Sequence, residues 1–442
     1  MARLFGTDGV RGVANRDLTP DLALALGRAA GAVLAKGSGE VVVGRDTRLS
    51  GPMLKSALVA GLCSAGVDVL DCGILPTPAV AFLTLDRRAR AGAVISASHN
   101  PVDDNGIKFF TGEGLKTDAE VEDAIEAAMR EPSADLPEGT AVGTVERLEG
   151  ATERYVDHLL GALDERLSGL RVVLDCAFGA AYLAAPRAFG EAGAEVIALN
   201  AEPDGARINV ACGSTDLGQL SRRVVEEGAD LGLAFDGDAD RVLAVDERGV
   251  EVDGDRIIAV SALALKARGE LAGDVVVATV MANLGLRRAL AKHGIEVISA
   301  PVGDKHVAEA MAQVGAVLGG EQSGHVIFAE HATTGDGILT GLKLAALVAA
   351  SEETLSALAH VFEPYPQVLL NVPVARRAAL EHAEGLWEQV RAAEEALGDD
   401  GRVLVRASGT EPLVRVMVEA ADAARAQQLA ERLAAAVRAE LG

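Results

Sequence analysis

The chain has 442 residues, of which 41 are Lys or Arg and 65 are Asp or Glu, for a net charge of −24. That length suits about three domains, or four if one is small. A hydrophobic content of 49% excludes a disordered chain, and the acidic balance argues against nucleic-acid binding unless a local basic patch overrides it.

Aromatic residues make up only 3% of the chain, so its cores must be built from Ala, Val, Leu and Ile. Cys63, Cys72, Cys176 and Cys212 are scattered and form no Cys-x-x-Cys pair. They fit a reducing compartment better than a disulfide framework or a thiolate zinc site. The segment Met1-Ala2-Arg3-Leu4-Phe5-Gly6 lacks the apolar run of a secretory signal, and no stretch has the length to span a bilayer. A cytoplasmic protein without membrane partners is expected.

In chain order, Thr19 and Pro20 supply the N-cap and first position of a helix over residues 21–36. Val41-Val42-Val43, Val67-Asp68-Val69-Leu70 and Ala93-Val94-Ile95 read as strands. The alternation returns at Val172-Val173-Leu174, Val196-Ile197 and residues 231–235. It returns again at Val275-Val276-Val277, Val297-Ile298 and Val317-Leu318. Short aliphatic strands alternating with Ala-rich helices predict α/β layers with helices covering the sheets.

Residues 131–150 are rich in Pro, Gly and acids and carry little periodicity, so the first domain is expected to end there. A helix over 152–167 opens the second, and turns near Gly249 and Gly254 close it. Phe362-Glu363-Pro364-Tyr365-Pro366 reads as a stiff linker and hinge before an α+β unit of strand, helix, strand, strand and helix. The expected domains are therefore 1–150, 151–252, 253–365 and 366–442, three of them alike in rhythm.

Each domain carries one turn with chemistry in it. Ser96-Ala97-Ser98-His99-Asn100-Pro101 follows a strand, where α/β sheets place ligands between strand ends and helix N-termini. Ser98 beside His99 suits an activated nucleophile, although Ser, Asn and Pro are also ordinary turn residues and no Gly-x-Ser-x-Gly elbow surrounds them. In Asp236-Gly237-Asp238-Ala239-Asp240-Arg241, alternate residues of an extended segment point one way. Three converging carboxylates repel unless a hard cation such as Mg²⁺ or Ca²⁺ sits among them. An EF-hand would put Glu247 at its twelfth position, but Arg241 stands where that loop needs Gly and strands flank the segment; a solvated acidic turn is the other alternative.

Gly319-Gly320-Glu321-Gln322-Ser323-Gly324-His325 offers donors and acceptors suited to hydroxyls, or else a tight turn with polar caps. Pro301-Val302-Gly303-Asp304-Lys305-His306 adds positive charge before a helix. Arg406-Ala407-Ser408-Gly409-Thr410-Glu411-Pro412 with Arg415 makes an anion-binding concavity, or a hairpin with exposed arginines. Gly6-Thr7-Asp8-Gly9-Val10-Arg11-Gly12 and Asn105-Gly106-Ile107-Lys108 each put a cation in a Gly-rich turn. A serine, an acid triad, a hydroxyl reader and an anion cradle together describe a cleft for a phosphorylated sugar.

Over its full length and with these motifs in order, the chain resembles the α-D-phosphohexomutase family. The resemblance implies three similar α/β/α domains and a smaller C-terminal α+β domain around a central cleft. It implies that Ser98 carries a phosphoryl group, and that Asp236, Asp238 and Asp240 bind one Mg²⁺ together with it. Arg11, His99, Lys108 and Arg241 match positions around the reacting phosphate, Lys108 being the acid/base candidate. Glu321, Ser323 and His325 match the sugar readers, and Arg406, Ser408, Gly409, Thr410 and Arg415 the cradle for the phosphate that does not react.

Glu321 to His325 and the opening Phe5 to Gly12 resemble the members that act on glucosamine phosphates; mannose- and glucose-directed members are the alternative within the family. The implied activity is isomerisation of a phosphosugar through phosphoserine and a sugar 1,6-bisphosphate, by a monomer or homodimer. One departure is Lys305-His306, where relatives more often have Arg then Tyr; lysine loses the bidentate fork. A metal-dependent phosphatase and a non-catalytic phosphosugar-binding protein are the readings from other classes.

Overall fold

A computed structural model describes residues 3–6, 8–131, 135–351, 353–408 and 412–442. The chain divides into two compact units, Met1–Met281 with Ile295–His360, and Ala282–Gly294 with Val361–Gly442.

The first unit holds three sheets. The first comprises β1 (Val10–Val13), β2 (Glu40–Arg45), β3 (Asp68–Ile74), β4 (Ala91–Ile95), β5 (Asp104–Thr111) and β6 (Val145–Arg147), in the order β1-β5-β4-β2-β3-β6. The second comprises β7 (Arg171–Asp175), β8 (Glu195–Leu199), β9 (Leu231–Phe235), β10 (Val242–Asp246) and β11 (Glu251–Val252), in the order β11-β10-β9-β7-β8. The third comprises β12 (Val275–Thr279), β13 (Glu296–Ala300), β14 (Leu318–Gly320) and β15 (Val326–Phe328), in the order β13-β12-β14-β15.

One pattern repeats through all three sheets. A parallel trio (β3-β2-β4, β8-β7-β9, β13-β12-β14) gains an antiparallel partner on its last strand: β5, β10 or β15. The Ser98 turn, the Asp triad and the Glu321 turn are these three β4–β5, β9–β10 and β14–β15 connections. Strands are expected on both sides of the Asp triad and are found there, whereas the Ser98 turn is expected to lead from a strand to a helix. Each turns back along its own sheet, so the chemistry sits at equivalent places in three repeats.

The inner strands are continuous aliphatic runs because helices cover both faces of a parallel sheet; β4, β9 and β12 are buried throughout. Helix Pro20–Val33 starts as expected, with the Thr19 hydroxyl accepting from the Leu22 N–H at 3.2 Å. Its Leu26 packs with Leu54, Leu58 and Leu62 of helix Gly51–Ser64 against Val41, Val43 and Ile95. Two expectations need revision. The helix expected over 152–167 is Ala151–Gly161, and the aperiodic stretch 131–150 contains β6, which pairs in parallel with β3. All three β6 residues are exposed, so no alternation marked it.

The second unit has β16 (Gln367–Pro373), β17 (Gly401–Ala407) and β18 (Leu413–Ala420) in the antiparallel order β16-β18-β17. Helices Glu384–Leu397 and Ala423–Leu441 supply Leu386, Val390, Leu433 and Val437 to its core. Helix Leu284–Lys292, which lies between β12 and β13 in the chain, also belongs to this unit. The segment expected as a stiff linker and hinge is pinned within this unit. Phe362 is buried, and Asn283 exchanges two 3.0 Å hydrogen bonds with the Tyr365 backbone.

Candidate active site

Ser98 stands in the left-handed region at φ 51° and is buried. Its N–H donates to Ser96 Oγ at 2.9 Å, and its hydroxyl donates to Asp236 Oδ2 at 2.5 Å, with His99 Nδ1 at 3.1 Å. Burial, reinforced by Arg241 and Arg11, pushes the His99 pKa down to about 4. A neutral imidazole therefore faces the hydroxyl at neutral pH.

Asp236, Asp238 and Asp240 are buried, with oxygens within 4.8 Å of one another. The segment is a turn rather than the extended run expected, with Ala239 at φ 57°. The carboxylates converge because the chain curls around them. Gly237 makes this possible: a Cβ there would stand 2.7 Å from the Ser98 carbonyl oxygen. Strands on both sides exclude the EF-hand, and Glu247 instead accepts hydrogen bonds from the Ser356 N–H and hydroxyl.

The electrostatics of the triad are divided. Burial, with Asp240 and Asp238 nearby, holds Asp236 well above the carboxylate range. Burial acts on Asp238 too, but Lys108 outweighs it and holds that carboxyl low. Asp238 Oδ1 and Asp240 Oδ1 are buried without a hydrogen-bond partner among the described residues. Orphaned, converging hard oxygens fit a divalent cation.

Lys108 is buried with Nζ 3.0 Å from Asp8 and from Asp238, and 3.6 Å from Asp240. These three carboxylates overcome the burial penalty and raise its pKa, so the residue expected as an acid/base candidate is held as a cation. Arg11 binds Asp8 and reaches Asn100 Oδ1 at 3.1 Å. Arg241 lies 3.8 Å from Asp240, with its N–H on Asp236 Oδ1 at 3.2 Å. Ser98, His99, Lys108, Arg11 and Arg241 therefore share one neighbourhood with the triad.

Several residues here escaped the sequence reading. Asp8 joins Lys108, Lys116 and Arg11, which together outweigh burial and hold its pKa well down. Lys116 bridges Asp8 and Asp304. Thr77 Oγ1 donates to Asp238 Oδ2 at 2.6 Å.

Glu321 accepts from the Gly303 N–H at 3.1 Å and from Ser323 Oγ at 3.2 Å. His325 is buried, with its Nε2 3.1 Å from the Gly335 nitrogen and 3.6 Å from Asp304 Oδ2. Its Nδ1 has no partner among the described residues. The turn is stitched to the acid loop, because the Val242 N–H donates to the Gly324 carbonyl at 3.1 Å. Lys305 points to Glu122 at 3.5 Å, and His306 lies 3.4 Å from Glu309.

In the second unit, Arg406 of β17 and Arg415 of β18 are direct cross-strand partners. Like charges so placed destabilise a sheet unless an anion joins them. Burial, with Arg415 opposite, lowers the Arg406 pKa. Ser408 is buried, and its carbonyl accepts from Arg377 Nη1 at 2.8 Å. Gly409 and Thr410, expected in this cradle, lie outside the described residues.

Comparison with known proteins gives the family. Phosphoglucomutase/phosphomannomutase profiles match in order: α/β/α domain I over residues 2–135, domain II over 153–249, domain III over 253–365 and the C-terminal domain over 369–436. The chain belongs to the phosphoglucomutase/phosphomannomutase family, whose members are isomerases that move a phosphoryl group. It is 56% identical over 452 residues to the phosphoglucosamine mutase of Streptomyces avermitilis, covering 100% of each chain. To the phosphoglucosamine mutase of Salinispora arenicola it is 53% identical over 445 residues, covering 99% of each. The crystal structure of a phosphoglucomutase/phosphomannomutase family protein from Burkholderia thailandensis superposes with a TM-score of 0.84 at 29% identity, covering 99% of this chain and 97% of that one. Among the described residues, no helix is long and apolar enough to cross a membrane.

Proposed function

We propose that the chain interconverts glucosamine 6-phosphate and glucosamine 1-phosphate through a phosphoserine at Ser98 and a glucosamine 1,6-bisphosphate. The observation that carries this reading is the Ser98 hydroxyl on Asp236, inside a buried triad with orphaned oxygens. Full-length identity to phosphoglucosamine mutases supports the choice of sugar.

The chemical task is to move a phosphoryl group between two ends of one sugar without losing it to water. The phosphoryl on Ser98 Oγ passes to the free hydroxyl of the monophosphate, the P–Oγ bond breaking and the hydroxyl's proton ending on Ser98 Oγ, and the bisphosphate reorients. Its other phosphoryl group then returns to Ser98. Such a transfer has a loose transition state, so the protein contributes mostly position and counter-charge. A phosphoserine brings a charge of roughly −1.5 to −2. Asp236, Asp238 and Asp240 would hold Mg²⁺, which supplies positive charge at the transferring group. Lys108, Arg11 and Arg241 supply fixed cations, and neutral His99 keeps a hydrogen bond on Ser98 Oγ.

Glu321 and Ser323, with His325 nearby, read sugar hydroxyls. Arg406, Ser408 and Arg415, with Gly409 and Thr410, bind the phosphate that is not reacting. A chain that must recognise both isomers needs one anion site for transfer and one for grip.

The test is a coupled assay of the purified protein on glucosamine, glucose and mannose phosphates side by side. Isomerisation with the highest kcat/KM on glucosamine phosphate is expected. Release of inorganic phosphate as the main product would favour a phosphatase, and phosphosugar binding without turnover would favour a sensor.

A further inference from the structure

Arg48 is fully buried, and each of its guanidinium N–H groups has its own acceptor. Nε donates to Asp46 Oδ2 at 3.0 Å. Nη1 donates to the carbonyls of Pro101 at 2.5 Å and Asp104 at 2.8 Å, and Nη2 to those of Ser98 at 3.0 Å and Asn100 at 2.7 Å. Four carbonyls of one loop thus turn inward onto a single planar cation. The Ser98 carbonyl also accepts from Asn209 Nδ2 at 2.8 Å. Asp46, which orients the guanidinium, accepts from Ser96 Oγ at 2.7 Å, and Ser96 Oγ in turn accepts the Ser98 N–H.

We infer that Arg48 and Asn209 are positioning residues that fix the direction of the Ser98 hydroxyl, by holding its peptide in the left-handed conformation. A β-carbon-bearing residue at φ 51° is strained, so the turn persists only while its surroundings impose it. With the carbonyls of residues 98–104 drawn to Arg48, the Ser98 side chain is left facing Asp236. Neither residue touches the reacting group in this arrangement; both act through the peptide. Lysine cannot replace Arg48, because an ammonium lacks the planar fork that serves four carbonyls at once.

This inference rests on Ser98 being the phosphoryl carrier, so Ser98→Ala is assayed alongside. The main variant is Arg48→Lys, with Asn209→Ala as a milder probe that leaves the buried guanidinium in place. For each, thermal unfolding gives the folded state, steady-state kinetics on glucosamine 6-phosphate give kcat and KM separately, and intact mass after glucose 1,6-bisphosphate gives phosphoryl uptake. Folded Arg48→Lys is expected to lose kcat by about tenfold or more with KM changed by about twofold at most, the pattern of a misdirected reacting group. Asn209→Ala is expected to lose a few-fold in kcat at unchanged melting temperature, and this result decides the matter if Arg48→Lys does not fold. Unchanged kcat in either folded variant, or a loss equal to the fall in folded fraction, would overturn the inference. An active Ser98→Ala would instead sink the phosphoserine reading, and the positioning role with it; an inactive Ser98→Ala beside a fully active Arg48→Lys would overturn the positioning inference and leave Ser98 as the carrier.

Discussion

Thr77 and Asp238 are joined twice. The Thr77 hydroxyl donates to Asp238 Oδ2 at 2.6 Å, and the Thr77 N–H donates to the Asp238 carbonyl at 2.9 Å. A threonine of the first repeat therefore fixes both the backbone and the side chain of an acid in the second.

Thr77→Val keeps the shape of the side chain and removes the hydroxyl. A buried hydrogen bond to a charged group is worth roughly 1.5–3 kcal/mol, so the Mg²⁺ concentration giving half-maximal activity is expected to rise on the order of tenfold. Thr77→Ser should restore most of it. A metal titration that superposes on the parent's would show that Asp238 does not depend on this contact.

Asp238→Asn removes a charge from the triad and from the pair with Lys108. Activity and Mg²⁺ affinity are expected to fall together, by about a hundredfold in kcat/KM, because charge neutralisation at the transferring group is lost. Activity that falls with an unaltered metal titration would take Asp238 out of the ligand set.

Arg406→Ala removes one of two opposed arginines. Charge-assisted hydrogen bonds to an anion contribute roughly 1.5–3 kcal/mol, so KM for glucosamine 6-phosphate should rise about tenfold or more while kcat changes little. A fall in kcat at constant KM would place Arg406 in the transfer step instead.

Asp336 gives a pH signature. It caps helix Gly337–Ala350 and accepts from the Tyr155 hydroxyl at 2.8 Å, and burial raises its pKa from 3.8 to about 6. A carboxyl that holds its proton more tightly when folded weakens the fold as pH rises through this window; the penalty is absent below about pH 4 and complete above about pH 6. Asp336→Asn cannot ionise. Its stability relative to the parent, from urea unfolding, should therefore improve between those limits by up to roughly 3 kcal/mol. A difference independent of pH would contradict the shift.

The parts legible in the sequence were those with a local signature. A run such as Asp236 to Arg241 announces its chemistry by composition, and a strand such as Leu231–Phe235 by its unbroken apolar run. What stayed hidden were single polar residues whose partners lie far along the chain. Thr77 and Asp238 are 161 residues apart, Arg48 and Ser98 50, and Lys116 and Asp304 188. No spacing rule links such pairs; the packing of separate repeats brings the first and the last together, and the pairing of β2 with β4 the second. The strand on each side of the Asp236 to Arg241 segment was legible, but the return of the chain after the Ser98 and Glu321 turns was not, because β5 and β15 look in sequence like any strand that follows a loop.

The most direct measurement is intact mass of the protein after glucose 1,6-bisphosphate, followed by a chase with glucosamine 6-phosphate. One phosphoryl group is expected on the protein, absent from Ser98→Ala, and the chase should remove it as glucosamine 1,6-bisphosphate appears. A phosphoryl group that Ser98→Ala still acquires, or that the chase leaves in place, would contradict a carrier at Ser98.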